Sequence, residues 1–272
     1  MNVVVYIRPT PSWDKLRFNL DTGTVELPPD TVVGVSAFAE GVWTLSPSDR
    51  AAVEWSVVSG QWSEDGGQAA VDSSLQAGQP KIGVTAVALE TDVQGAAEEV
   101  LREAMARGAD RAVLISGAEE ADSFVAASAL AALVRRMSGK DGVDLVLLGA
   151  EAPNGAPDEV GPMLAEELGW AGVVGARTVE ASTPAVVSLL PDTDLPPQYA
   201  KGGSVIAAYR KKQIETLSLD DLGLTGADAE KGSARVIVRR AALAEAPPRE
   251  LLKDSVEESV AVLVQALRQM GY

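Results

Sequence analysis

Four short apolar runs, the β-branched Asn2 to Ile7 and then Ile82 to Leu89, Arg111 to Ser116 and Asp144 to Leu148, constrain this chain more than any other feature. Each is continuous rather than alternating, the pattern of a strand covered on both faces. Amphipathic stretches separate the later runs. Ala96 to Arg107 carries an apolar stripe of Val100, Leu101, Ala104 and Met105, with Thr91 or Asp92 as its expected cap and Gly108 as its stop. Asp122 to Met137 is the next helix, followed by Gly139 to Gly142 and the strand to Leu148. Strands alternating with helices across short loops select a parallel sheet with helices packed on it.

Further elements follow the same logic. Ser46-Pro47-Ser48-Asp49 reads as a cap leading into a helix to Val58, and Asp21-Thr22-Gly23-Thr24 as the turn of a hairpin over residues 16–28. Gly60 to Pro80, rich in Gly, Gln and Ser, reads as a surface excursion. A helix from Glu159 to Leu168 stops at Gly169, and strands are expected over Ala171 to Val179 and Ala185 to Leu190. Asp192 to Gly203 reads as a polar loop, with a short apolar piece from Val205 to Tyr209. Thr225 to Lys231 reads as a linker, Ala234 to Arg239 as a strand and Ala246-Pro247-Pro248 as a hinge. Beyond the hinge, Asp254 to Met270 forms a helix with Val256, Val260, Leu263, Val264 and Leu267 on one face. Such a face must dock on its own domain or on a partner subunit.

The absences narrow the chemistry. The chain has 272 residues, no Cys and no His. Disulfides, thiolate nucleophiles and Ser-His-Asp triads are excluded, and the commonest ligands of transition metals are missing. No catalytic residue and no metal site is expected. A formal charge of −16 opposes nucleic acid and anionic membranes. The basic trio Arg210-Lys211-Lys212 reads better as a segment contacting the acidic chain itself than as a phosphate or nucleic-acid patch. With no transmembrane stretch and a strand at the start, the expected location is cytoplasmic.

The segment Leu148 to Ala165 points to a ligand. It runs from a buried strand through a small-residue loop, Glu151 to Pro157, into a helix. In open α/β sheets that crevice holds nucleotides, because free helix N–H groups point into it. Here Asp158 and Glu159 stand where a phosphate needs neutral donors.

The order of segments resembles the beta subunit of the electron transfer flavoprotein family. The residues that carry the resemblance are Gly108-Ala109-Asp110-Arg111, Leu45-Ser46-Pro47-Ser48-Asp49 with Ala52-Val53-Glu54, Arg210 to Leu217, Asp221 to Leu224, and Ala246-Pro247-Pro248-Arg249 with the last helix. The resemblance implies a Rossmann-like α/β fold of the adenine nucleotide alpha hydrolase-like kind over residues 1–224. Residues 225–272 would form a linker and C-terminal arm with a partner-docking helix. It also implies a heterodimer whose alpha subunit holds most of an FAD, with the beta chain carrying AMP, or a second FAD in electron-bifurcating members. The site residues it implies are Ile7, Arg8, Trp13, Ala88, Leu89, Asn154, Gly155, Asp158, Glu159, Val160 and Gly161. Arg8 stands where the family has Lys, either at a phosphate or as a solvated surface residue. Trp13 lies either near the partner's flavin or over the core edge.

Departures from the family bear on function. Asp158-Glu159-Val160-Gly161 replaces Asn-Gln-Thr-Gly, while Asn154, Ala156 and Pro157 replace acids and a Thr of the second-flavin form. Two like charges about 4 Å apart repel by roughly 4 kcal/mol at an effective dielectric near 20. The usual AMP is therefore expected to be weakened or absent, with acids that merely cap a helix as the other reading. Tyr199-Ala200-Lys201-Gly202-Gly203-Ser204-Val205 lacks the Leu-Pro pair through which family members dock dehydrogenases, so that docking mode is expected to be lost or replaced. The hairpin usual between the strands near Val179 and Ala185 is nearly deleted. The resulting expectation is an electron-transfer beta subunit working through FAD. Its rivals are a bifurcating complex with a second FAD in this chain and a nucleotide-free structural subunit.

Overall fold

The computed structural model describes residues 1–11, 17–19, 24–26, 43–58, 83–90, 95–118, 121–139, 142–152, 157–179, 182–193, 199–224 and 255–269. The elements in chain order are β1 (Asn2–Tyr6), β2 (Pro9–Pro11), β3 (Arg17–Asn19), β4 (Thr24–Glu26), β5 (Trp43–Leu45), α1 (Pro47–Val58), β6 (Gly83–Leu89), α2 (Ala96–Arg107) and β7 (Arg111–Ser116). They continue with α3 (Ser123–Ser138), β8 (Leu145–Gly149), α4 (Val160–Leu168), β9 (Ala171–Ala176), β10 (Ala185–Leu189), α5 (Gly202–Arg210), β11 (Glu215–Ser218), a 3₁₀ turn (Asp220–Leu222) and a last helix, α6 (Val256–Gln269).

Seven strands form one sheet in the order β11-β7-β6-β1-β8-β10-β9, and every pairing in it is parallel. The alternation of side chains along β1 shows why the strand runs are apolar throughout. Val3, Val5 and Ile7 enter a core shared with α1, α2 and α5, whereas Val4 and Tyr6 enter a second core under α3 and α4. Both faces are buried, which is the Rossmann-like α/β layering expected from the runs. The antiparallel pairing of β3 with β4 is the hairpin expected over residues 16–28.

Caps set the helix starts. The Asp49 N–H donates to Ser46 Oγ at 3.0 Å, so Ser46 caps α1 and Pro47 takes the first helical position, where no N–H is needed. Asp122 accepts from the Phe124 and Val125 N–H groups, each at 3.0 Å, and caps α3. The cap expected for α2 is corrected. Gly95, left-handed at φ 82°, holds that position without a side-chain hydrogen bond. Thr91 and Asp92 fall outside the described residues and stand too far before Ala96, since a cap directly precedes the first helical residue.

One loop and one strand end also differ from expectation. Gly202 and Gly203 do not end a loop; they open α5. Tertiary contacts outweigh the glycines' poor helix propensity. Ala208 is buried on α2, and Arg102 Nη1 donates to the carbonyls of Ala208 and Lys212, each at 2.6 Å. The strand expected to reach Val179 stops at Ala176, where Gly175 is left-handed at φ 72°. β10 then pairs in parallel with β9.

Of the basic trio, Lys212 contacts its own chain. Its Nζ donates to the Ala109 carbonyl at 2.6 Å and to the Met105 carbonyl at 3.2 Å, a cation at the carboxyl end of α2. Residues 60–80, the 225–231 linker, the 234–239 strand and the 246–248 hinge lie outside the described residues. Among the described residues no helix is long and apolar enough to cross a membrane, and no group of acids could hold a metal ion.

Candidate functional site

The strand order places the crevice. From β1 the chain moves outward through β6 to β7, then returns across β1 to β8. The connections therefore leave β1 and β8 in opposite directions, and the carboxyl ends of this pair form the switch point where α/β sheets bind ligands. Arg8 follows β1 there, and the amino ends of α1 and α4 meet beside it.

Arg8 is buried, and both terminal nitrogens of its guanidinium are engaged, while its Nε has no hydrogen-bond partner among the described residues. Its Nη2 donates to Asp49 Oδ1 at 3.0 Å, to the Gly149 carbonyl at 3.1 Å and to the Glu151 carbonyl at 2.8 Å. Nη1 makes a short ion pair with Asp158 Oδ1. The main-chain N–H of Arg8 donates to Asp49 Oδ2 at 3.2 Å, and the Tyr6 ring lies 5.7 Å below the guanidinium carbon. Asp49 Oδ1 also accepts the Gly149 N–H at 3.0 Å, which ties β8 to α1. Asp158 Oδ2 accepts the Gly161 N–H at 3.1 Å and so serves the first turn of α4. Each carboxylate joins the guanidinium to the amino end of one helix.

Charge explains why the cluster tolerates burial. One guanidinium faces two carboxylates, an excess of one negative charge. Two helix amino ends, each worth roughly half a positive charge, offset that excess. Burial pushes the Asp158 carboxyl above the usual carboxylate range, with Arg8 acting in the opposite sense. For Arg8 burial pulls downward, yet Asp49, Tyr6 and Asp158 together raise it above the ordinary arginine value. Burial likewise raises the Tyr6 hydroxyl.

Close packing holds the arrangement. A Cβ at Gly149 would lie 2.5 Å from Asp49 Oδ1, 2.6 Å from Ser48 Oγ and 2.8 Å from the Asp49 backbone nitrogen. Backbone cannot retreat as a side-chain tip can. Gly149→Ala is accordingly expected to destabilise by about 3 kcal/mol, the upper part of the overpacking range. Urea unfolding followed by circular dichroism measures it, and a loss under about 1 kcal/mol would contradict the geometry.

The structure disperses the other expected site residues. Ile7, Ala88 and Leu89 sit at the carboxyl ends of β1 and β6, but their side chains belong to the two cores. The Ile7 N–H is spent on the Val87 carbonyl at 2.9 Å. Val160 is buried against the second core, Gly161 abuts Leu148 and Ser188, and Glu159 is exposed with no capping hydrogen bond. Trp13, Asn154 and Gly155 lie outside the described residues. The reading of Arg8 as a solvated surface residue is overturned, because two buried carboxylates draw it inward. The helix-cap reading of the acids holds for Asp158 only. Asp49, which completes the cluster, was not among the expected site residues. Its signal was an acid three positions after a capping serine, together with an arginine directly following a buried run.

A phosphate does not fit this corner. The neighbouring guanidinium and the Gly161 N–H that would meet it are already bonded to Asp158. An added dianion would face two carboxylates across a few ångströms.

The electron transfer flavoprotein domain model matches residues 68–188, which run from before β6 to within β10. The electron transfer flavoprotein subunit beta of Clostridium acetobutylicum is 24% identical over 296 aligned residues and is matched across 100% of both chains. The chain is thus similar to electron transfer flavoprotein beta subunits. The similarity is distant in other relatives too. The electron transfer flavoprotein subunit beta of Thermoanaerobacterium thermosaccharolyticum is 27% identical over 194 residues, covering 63% of this chain and 73% of its own. The acryloyl-CoA reductase electron transfer subunit gamma of Anaerotignum propionicum is 28% identical over 162 residues, 48% of this chain and 60% of its own. The family model thus spans β6, β7, β8, β9 and most of β10, and includes Asp158.

Proposed function

We propose that this chain is the beta subunit of a heterodimeric electron transfer flavoprotein, in which an alpha subunit holds most of an FAD and this chain supplies one wall of its site. The observation that carries the reading is the family match over residues 68–188, the segment that builds the sheet from β6 to β10. The FAD supplies the redox chemistry, passing electrons between a dehydrogenase and an acceptor. Residues of this chain bind and orient.

What the chain offers a flavin lies on the ribbon leaving the crevice, where β2 pairs with β5. Thr10 Oγ1 and Trp43 Nε1 are buried there without a hydrogen-bond partner among the described residues, two donors of the kind a polar cofactor rim satisfies. The ribbon is held firmly, since Glu103 Oε2 accepts from the Thr44 hydroxyl at 2.9 Å and the Leu45 N–H at 3.1 Å.

Dehydrogenase docking falls near Tyr199 to Val205. Tyr199 is 87% exposed and precedes α5, whose first residues, Gly202 and Gly203, are open to solvent. No leucine anchor stands there, so the docking mode for acyl-CoA dehydrogenases is lost or replaced. The Arg8–Asp49–Asp158 cluster favours one flavin over two, because it closes the corner a second nucleotide would use.

Co-expression with an alpha chain, a visible spectrum and a flavin count test the reading. One FAD per pair is expected. A colourless pair refutes the flavin function in favour of a structural subunit, and two FAD per pair establishes the bifurcating alternative.

A further inference from the structure

We propose that the Asp158 carboxylate is a built-in anion that fills the phosphate corner of the crevice and excludes mononucleotides from it. The inference is independent of the flavin reading. It rests on where the carboxylate stands. A phosphate at a switch point is recognised by a cation and by N–H groups at a helix amino end. Asp158 occupies both at once, with Oδ1 on Arg8 Nη1 and Oδ2 on the Gly161 N–H at 3.1 Å. A residue that only capped α4 would have no reason to reach the guanidinium after β1.

The second terminal nitrogen of Arg8 reinforces the closure, although Nε has no partner among the described residues. Nη2 is spent on Asp49 and on the carbonyls of Gly149 and Glu151, so the guanidinium cannot swing toward an incoming anion without breaking three bonds. The Asp158 main chain is fixed as well, its N–H donating to the Ala150 carbonyl at 2.9 Å. Anchored at both ends, the carboxylate reproduces two contacts of a bound phosphate and brings its charge with it. Loss of that charge alone should reopen the corner. Asp158→Asn keeps the shape and removes the negative charge, while Asp158→Ser also vacates space.

The test uses the full chain purified with its alpha partner. AMP and inorganic phosphate are titrated by calorimetry and by thermal shift, with chloride as the ionic-strength control, and bound AMP is extracted and counted. The wild-type protein is expected to carry no AMP and to show no phosphate-specific shift. Asp158→Asn or Asp158→Ser is expected to bind AMP at least about tenfold more tightly, the equivalent of ~1.4 kcal/mol. Adding Arg8→Met to Asp158→Ser should abolish that gain. About one equivalent of AMP on the wild type overturns the proposal, as do folded variants that gain no affinity. Should a variant fail to fold, the wild-type extraction still decides. A colourless pair free of AMP removes the flavin reading and leaves this inference standing; a yellow pair retaining AMP does the reverse.

Discussion

Arg8→Met is expected to destabilise the chain by about 3–5 kcal/mol, the cost of leaving buried carboxylates without their counter-charge. Asp49 is fully buried and Asp158 nearly so, and Arg8 is their shared cation. At roughly 2–4 °C per kcal/mol for a domain of this size, the midpoint should fall by on the order of 10 °C. Methionine keeps much of the stem's volume, so the loss reports charge and hydrogen bonds more than a cavity. Arg8→Lys should recover only part of it, because an ammonium lacks the planar fork that reaches Asp49, Asp158 and two carbonyls together. Asp158→Asn should cost less than Arg8→Met, since Arg8 and Asp49 remain a neutral pair. The decisive result is non-additive: Arg8→Met with Asp158→Asn should be less destabilised than the two single changes sum to, because one unpaired carboxylate is removed. Thermal and urea unfolding of the four proteins measure this. Additive losses, or a loss under about 1 kcal/mol for Arg8→Met, would mean the cluster is not coupled as the distances indicate.

The same cluster marks where sequence reasoning stopped. The strands and the long helices were legible because local signals agree with their final packing: the buried run of β1, the stripe of α2 and the caps Ser46 and Asp122 each name their own element. The start of α5 was hidden, since Gly202 and Gly203 argue against a helix and only Arg102 and the packing of Ala208 argue for it. The crevice was legible in position but not in content. Asp158 was visible as a charge at the wrong place for phosphate. Its partner Arg8 lies 150 positions away in the chain and Asp49 lies 41 positions from Arg8, so only the folded sheet brings the three together. A one-dimensional reading sees two carboxylates repelling a ligand. The folded chain shows them already bound to the cation such a ligand would need.

A charge placed on the apolar face of α6 is expected to abolish pairing with the alpha subunit. Val256, Val260, Leu263, Val264 and Leu267 recur at helical spacing along one face, and each is at least 40% exposed in the chain alone. A face of that kind gains stability only when something covers it. Burying one leucine is worth about 1.5–3 kcal/mol, and an aspartate in its place adds the further penalty of an unpaired charge in an apolar contact. Leu263→Asp should therefore weaken the heterodimer by more than about 100-fold, since every 1.4 kcal/mol is a factor of ten. The substituted chain should unfold at the same temperature as the unchanged one when measured by itself, because Leu263 is already 52% exposed there. That contrast separates the two ways the face could be covered. If α6 packs back on its own domain, the isolated chain loses stability and the pair survives; if it docks on the partner, the isolated chain is unmoved and the pair falls apart. Size-exclusion chromatography of the co-expressed pair, beside thermal unfolding of the single chain, reads both at once. The expected result, a stable beta chain eluting alone and an alpha chain that loses its yellow colour, would also show that the flavin site needs both walls.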